Sequence, residues 1–421
     1  MAAMGGRFVI RGGRPLSGKV RVSGAKNSVL KLMAASLLTP KECVIRNVPR
    51  ITDVETMAEV LRHLGAEVDW QGPVMRIRSG EFEGRRAPYH LVRRMRASIL
   101  VLGPLVARFG EAAVAIPGGC NIGARKIDLH LKGLQMLGAE VITEHGYIRV
   151  RARRLRGRDI YLDFPSVGAT ENLMLAAVGA EGITRIENAA REPEIQDLAD
   201  FLRSLGVEVR GAGTPLVEVE GGLPGKGTDH AAIGDRIEAG TFALAAAVTR
   251  GELEVEGVNP LHLRLALEKM AEAGVEVEER EDGFRVRGNE RYRAVDVATL
   301  PFPGFPTDLQ PQMMVLLSLA EGVSVITENV FESRFMFVGE LNRMGCDIEI
   351  KGQHAVVRGV GRLSGAEVCA TDLRAGAALV LAGLAAEGVT EVLDIHHVDR
   401  GYESFEEKLR SVGAEISRVG T

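Results

Sequence analysis

The chain has 421 residues, 46% hydrophobic but only 5% aromatic, so its core must be built largely from aliphatic side chains. Lys+Arg of 52 against Asp+Glu of 56 leaves a net charge of −4, which argues against a dedicated nucleic-acid binder while allowing a local basic pocket. The longest apolar run, Ala375 to Ala386, is far shorter than the ~20 residues of a membrane span, and the N-terminus MAAMGGRFVIRGGR lacks the apolar stretch of a secretory leader; no membrane partner is expected.

Along the chain one phrase recurs. LRHLGAEV, LQMLGAEV and SLGVEV, then AEAGVEV, MGCDIEI and VGAEI, centre on Gly65, Gly138, Gly206, Gly274, Gly345 and Gly413 and mark six units of about seventy residues. Each unit carries an Ala/Leu-rich segment such as ASILVLGPLVARFG, TFALAAAVTRG or AALVLAGLAAEG, apolar on nearly all faces. These segments predict buried helices closed by a C-terminal glycine. A β-rich run follows (TRIEN, ELEVEGV, VSVITENV, TEVLDIHHV), then an amphipathic helix such as DVETMAEVLRHLG, then strands that form a hairpin in VITEHGYIRVRA and VEVEEREDGFRVRG. Solenoid repeats are shorter, about 20 to 45 residues, so the units predict an α/β fold of two lobes, three βαβαββ-type units each, with the apolar helices inside.

Polar residues gather at two places in this pattern. One precedes each buried helix: SGAKN (Ser23 to Asn27), RRMRAS (Arg93 to Ser98), SVGATEN (Ser166 to Asn172), DRIEAGTF, FPTDLQPQ and TDLRAG. The other follows the strand: PGGCNIGARKID, NAAREPEI, NVFESRF and HHVDRGYE. Arg125 and Arg400 each stand thirteen residues before their marker glycine, and Arg334 stands eleven before its own. Helix N-termini attract anions, and Lys26, Arg96, Arg125, Arg334, Arg374 and Arg400 would add full charges to a cleft between the lobes. A single Arg is usually a solvated surface residue; six at related repeat positions predict a site for carboxylate and phosphate.

Three glycines and a proline surround Cys120 in Pro117–Arg125, which predicts an exposed loop whose thiol is activated by Arg125. Cys43, Cys346 and Cys369 lie in strand-like contexts and read as buried small hydrophobes. The absence of any CxxC pair predicts reduced cytoplasmic thiols, without a disulfide framework or zinc site. The nine histidines show no metal spacing, and His396 and His397, read as strand residues, would point to opposite faces. Two S-x-x-K matches, at Ser23 and Ser28, lack companion motifs and are chance.

The segments SGAKN, MRAS, PGGCNIGAR, SVGAT, ENAAREPEI, DRIEAGTF, FPTDLQ, VFESRF, TDLRA and HVDRGYE resemble the UDP-N-acetylglucosamine 1-carboxyvinyltransferase family of enolpyruvyl transferases, through all six units. The resemblance implies two inside-out α/β barrels, residues 26–233 forming one lobe and 1–25 with 234–421 the other. It implies transfer of the enolpyruvyl group of phosphoenolpyruvate to the 3-hydroxyl of UDP-N-acetylglucosamine with release of phosphate, the first committed step of peptidoglycan synthesis, by a cytoplasmic monomer using no cofactor or metal. On this likeness Cys120 is the proton donor to the phosphoenolpyruvate methylene and the thiol alkylated by fosfomycin, and Asp308 is the candidate base facing the sugar hydroxyl. Lys26, Asn27, Arg125, Arg374 and Arg400 would hold phosphoenolpyruvate, with Lys26 and Arg400 also catalytic and Arg334 and Asp372 in support. Arg96, Arg125, Lys126, Ile127, Asp128, Leu129, Phe164, Pro165, Ser166, Val167, Asp308 and Val330 would contact the sugar nucleotide. Leu100 and the Phe164-Pro165 pair depart from the pattern of some members, on the uracil side.

Addition to an enol ether needs an acid at one carbon, a base at the attacking oxygen and neutralisation of two anionic groups, which these residue types can supply. They come from both halves of the chain, so lobe closure would precede chemistry. The rivals are the shikimate-pathway transferase, which does not use the loop cysteine, and a non-catalytic UDP-N-acetylglucosamine-binding regulator, disfavoured by the joint presence of Lys26, Cys120, Asp308 and Arg400.

Overall fold

A computed structural model describes residues 6–80, 85–116 and 127–420. The described chain divides into two compact units, residues 24–233 and residues 6–23 with 234–420. The Ala/Leu-rich segments form the helices Lys26–Ala35, Leu102–Phe109, Val167–Ala177, Arg236–Val248, Gln310–Ser318 and Leu373–Ala385, three per unit. Every residue of Arg236–Val248 and Gln310–Ser318 is buried. A helix without a polar face is stable only when enclosed. In the unit that holds them, these two and Leu373–Ala385 pack on one another. Gly240 permits that approach, since a Cβ there would stand 2.4 Å from Leu309.

Four-stranded sheets of one pattern enclose the inner helices. In one, Arg86–Ala87 runs parallel to Glu111–Ala115, which pairs antiparallel with Tyr147–Arg151 and so with its hairpin mate Glu140–Glu144. The strand that follows the inner helix is thus central and the hairpin completes the sheet; Val323–Thr327 and Ile183–Glu187 occupy the same place in theirs. Leu253 and Val255 point inward, whereas the outward Glu252 and Glu254 meet Arg285 at 2.6 Å and Lys19 at 2.8 Å. Such exposed pairs are worth little individually. Each unit is an inside-out α/β barrel.

Three sheets take strands from far away in sequence. Arg7–Arg11 lies antiparallel between Val389–Leu393 and Glu415–Val419, where the other sheets have a hairpin strand. Ser17–Arg21 runs parallel to Glu252–Glu256. In the other unit Thr228–Ala231 runs parallel to Glu42–Arg46. The chain therefore starts in one unit, builds the whole of the other, and returns. A Cβ at Gly24 would lie 1.7 Å from the Asn47 carbonyl oxygen, and one at Gly234 would lie 1.8 Å from that of Gly257. Only glycine fits at either crossing.

The marker glycines have a backbone cause. Gly65, Gly138, Gly206, Gly274, Gly345 and Gly413 all have φ between 96° and 106°, the left-handed turn that ends each amphipathic helix. Glycine closes the inner helices less often than expected. Gly110 caps Leu102–Phe109, but Val178, Thr249, Leu319 and Ala386 cap four others, because the left-handed residue comes later, at Gly182, Arg250, Gly322 or Gly388, where the chain turns into the next strand. The strand through TEVLDIHHV stops at Leu393; His396 and His397 lie in the 3-10 helix Ile395–Arg400 with ring centroids 4.1 Å apart, so they do not point oppositely. Cys43 and Cys346 are buried, whereas Cys369 ends its strand half-exposed and donates to Asp394 at 3.3 Å. Among the described residues no helix is long and apolar enough to cross a membrane.

A Cβ at Gly206 would touch only the flexible Lys226 side chain, at 3.3 Å, so φ alone should set the cost of replacing this glycine. Gly206→Ala should lower the unfolding free energy by about 1–2 kcal/mol, and Gly206→Asn by less. An unshifted denaturation midpoint for the alanine variant would refute this account of the repeat.

Candidate active site

In the unit of residues 24–233, Lys26 opens its inner helix and its Nζ meets Asp53 Oδ2 at 2.6 Å. Asp53 lies in the first turn of Thr52–Leu64, where an acid is ordinarily explained by the helix dipole, so nothing in the sequence marked it as the partner of Lys26. Asn27 follows Lys26, and its carbonyl oxygen accepts from Lys31 Nζ. Lys31 also pairs with Glu171 at 3.1 Å. Burial pushes the Glu171 carboxyl up; Lys31 opposes that shift and the neighbouring Glu194 and Glu192 add to it.

Arg96 opens the 3-10 turn Arg96–Val101 ahead of Leu102–Phe109. Ile127 precedes Asp128–Met136, with Asp128 and Leu129 in its first turn. Phe164 is exposed and Ser166 caps Val167–Ala177, its Oγ accepting from the Ala169 N–H at 3.3 Å. His130 brings these two segments together: its ring lies against Gly168, and its Nδ1 lies 3.1 Å from Asn172 Nδ2, while Asn172 Oδ1 accepts from the Gly103 N–H at 2.8 Å. An Asn172 amide aimed at Nδ1 requires that nitrogen to be an acceptor, so His130 is neutral with its proton on Nε2. Burial, then the charge of Arg96, depress its pKa to about 4. Cys120, Arg125 and Lys126 lie outside the described residues.

In the other unit, Asp308 sits in the 3-10 turn Thr307–Leu309 that leads into Gln310–Ser318. Arg334 Nη2 donates to its Oδ1 at 3.0 Å, and Arg374 Nη2 and Nε donate to its Oδ2 at 3.2 and 3.3 Å. The guanidinium side chains are 2% and 4% exposed, the carboxylate side chain 26%. Two enclosed cations thus hold a carboxylate that solvent still reaches. Asp372 accepts from the N–H groups of Arg374 and Ala375 at 2.9 and 3.1 Å and so caps the helix carrying Arg374. The Arg374 guanidinium lies 5.3 Å from the Tyr402 ring centroid. Arg400 ends the turn Ile395–Arg400 close enough to His397 to help burial and His396 lower its pKa.

Glu328, unmarked in the sequence, accepts from the N–H groups of Val330 at 2.8 Å and Phe331 at 3.1 Å, and from the hydroxyls of Thr299 and Thr307. It ties Val330 to the turn bearing Asp308. The structure therefore joins Asp308, Arg334 and Arg374 directly and Val330 through Glu328. In the other unit it joins Ile127–Leu129 with Ser166–Val167. Lys26, Arg334 and Arg374 are not bare cations: Asp53 faces the first and Asp308 the other two.

The neutral state of His130 makes stability depend on pH. Its folded pKa of about 4 lies below the ordinary 6.5, so the unfolded chain takes up the proton first and stability falls as pH drops from 6.5 to 4. The loss should approach about 3 kcal/mol. It should be read as the difference in denaturation midpoint between the parent chain and His130→Gln across that range; identical pH profiles would refute it.

The profile of the EPSP synthase (3-phosphoshikimate 1-carboxyvinyltransferase) family matches residues 10–409. UDP-N-acetylglucosamine 1-carboxyvinyltransferase 1 of Caldanaerobacter subterraneus is 54% identical over 98% of this chain and 99% of its own length. The Mycobacterium leprae UDP-N-acetylglucosamine 1-carboxyvinyltransferase is 55% identical over 99% and 100%. Among solved structures, the enolpyruvyl transferase NikO from Streptomyces tendae superposes with a TM-score of 0.89 at 27% identity, covering 99% of this chain and all of its own. EPSP synthase from Acinetobacter baumannii shares the fold, with a TM-score of 0.75 at 20% identity over 98% of this chain and all of its own. With near-complete coverage on both sides, the chain belongs to the UDP-N-acetylglucosamine 1-carboxyvinyltransferases, within the enolpyruvyl transferase family.

Proposed function

We propose that this protein transfers the enolpyruvyl group of phosphoenolpyruvate to the 3-hydroxyl of UDP-N-acetylglucosamine and releases phosphate, the step that commits the sugar to peptidoglycan. The observation that carries the chemistry is the clamp on Asp308: a partly exposed carboxylate fixed by two nearly enclosed guanidiniums. Such a group is oriented in advance for one acceptor task, taking or positioning the proton of an incoming hydroxyl. The choice of acceptor rests on the relatives' names over the whole chain.

In this reading the sugar 3-oxygen bonds to C2 of phosphoenolpyruvate as its proton passes to Asp308, and Cys120 gives a proton to C3. The tetrahedral adduct then loses phosphate from C2 and a proton from C3, which restores the double bond. Lys26, Arg125, Arg374 and Arg400 offset the phosphate and carboxylate charges, with Asn27 beside them. Arg96, Lys126, Ile127 to Leu129, Phe164 to Val167 and Val330 bind the sugar nucleotide. In this reading the enzyme works in the cytoplasm and acts as a monomer.

Phosphate release from phosphoenolpyruvate should require UDP-N-acetylglucosamine; release with shikimate 3-phosphate alone would overturn the assignment, and binding of the sugar nucleotide without release would mark a regulator. Asp308→Asn should lower kcat by about 10²-fold or more. Cys120→Ser should abolish labelling by fosfomycin, and labelling at Cys43, Cys346 or Cys369 would contradict the role given to Cys120.

A further inference from the structure

Lys31 and Glu171 form an ion pair in the interior of their unit, near the further buried acids Glu192 and Glu194, with side chains 8% and 1% exposed. Stability does not account for the pair, since apolar side chains of similar volume commonly match or exceed a buried ion pair. Its position suggests another reason. Lys31 lies one turn beyond Asn27 and donates to that residue's carbonyl oxygen as well as facing Glu171. Glu171 lies near the head of Val167–Ala177, directly after the segment read as a sugar-nucleotide contact. The same first turn of Lys26–Ala35 is fastened a second time, because Ser28 Oγ donates to Asp197 and Asp197 in turn holds His230 at 2.7 Å.

We propose that Lys31 and Glu171 are a positioning pair for phosphoenolpyruvate: they tie the turn bearing Lys26 and Asn27 to the head of the helix that follows Ser166 and Val167. This rests on the reading above that Lys26 and Asn27 hold phosphoenolpyruvate. Glu192 and Glu194 supply further negative charge around Glu171, so Lys31 is drawn toward this side of the core and its ammonium fixes the Asn27 carbonyl as it does so. A substrate-binding turn misplaced by a fraction of an ångström loses affinity for the group it holds, without necessarily altering the chemical step.

The test is steady-state kinetics on the full-length enzyme carrying Lys31→Met with Glu171→Leu, which removes both charges and leaves neither partner unpaired. Its melting temperature should equal or exceed that of the parent, while KM for phosphoenolpyruvate rises about tenfold and kcat and KM for UDP-N-acetylglucosamine stay within about twofold. A parental KM for phosphoenolpyruvate overturns the inference. If that variant does not fold, Lys31→Gln with Glu171→Gln carries the same comparison. Asn27→Ala separates the two levels: if it raises that KM and the pair variant does not, the inference alone fails. If neither raises it, the assignment of the Lys26–Asn27 turn fails, and the inference with it.

Discussion

Helices that are apolar on every face can exist only where other protein surrounds them, and this constraint organises the rest of the molecule. Most side chains around the circumference of Arg236–Val248 and Gln310–Ser318 are apolar, and the few polar ones are buried with them, which leaves no side to show to water. Three such helices cannot enclose one another, so each unit needs an outer layer, which its four-stranded sheets provide. Those sheets alternate buried aliphatic and outward charged residues because one face meets the helices and the other meets solvent. The small side chains of the inner helices also explain how a chain so poor in aromatics fills its core.

Enclosing helices also encloses their ends, and there the polar residues become interpretable. A helix N-terminus carries partial positive charge, so a cation placed there is locally unfavourable. Lys26 and Arg374 nonetheless stand at the heads of two inner helices. Acids offset each of them: Asp53 faces Lys26, while Asp372 caps the helix of Arg374 and Asp308 receives its guanidinium. Under the proposed function, an arriving phosphate or carboxylate would exchange one set of counter-charges for another instead of meeting an exposed cation.

Much of the fold was legible because its signals are periodic. Six glycines at about seventy-residue spacing stand at one repeated backbone need, a left-handed turn, and the all-apolar segments between them allow only one environment. Asp308, Arg334 and Arg374 could be picked out from their motifs, but the fact that the two arginines share one carboxylate could not, since the three lie in different segments. Asp53, Glu328 and the pair Lys31–Glu171 escaped notice for a related reason. Each has an ordinary local explanation, such as a first-turn acid or a solvated charge, and only the packing of distant helices reveals it as buried. His396 and His397 misled in the opposite direction, because a β-rich run carried the strand past its end at Leu393 and past Asp394 with its φ of 56°.

The two crossings of the chain bear on this balance of charge. Gly24 stands two residues before Lys26, and Gly234 stands two before Arg236, so each crossing leads straight into the first inner helix of the unit it enters. The Ala25 N–H donates to the Ile233 carbonyl at 2.7 Å, and the Asp235 N–H to the Ser23 carbonyl at 2.9 Å. Asp235 then caps its helix, accepting from the Ile237 and Glu238 N–H groups, while Ser23 N–H donates to Glu238 at 2.7 Å and Lys408 pairs with the same carboxylate at 2.6 Å. The backbone at each crossing is thus fixed by hydrogen bonds to the residues that begin an inner helix. A glycine that admits no Cβ is required there because any displacement of the crossing would be carried, within two residues, to Lys26 in one unit and to the Asp235 cap in the other.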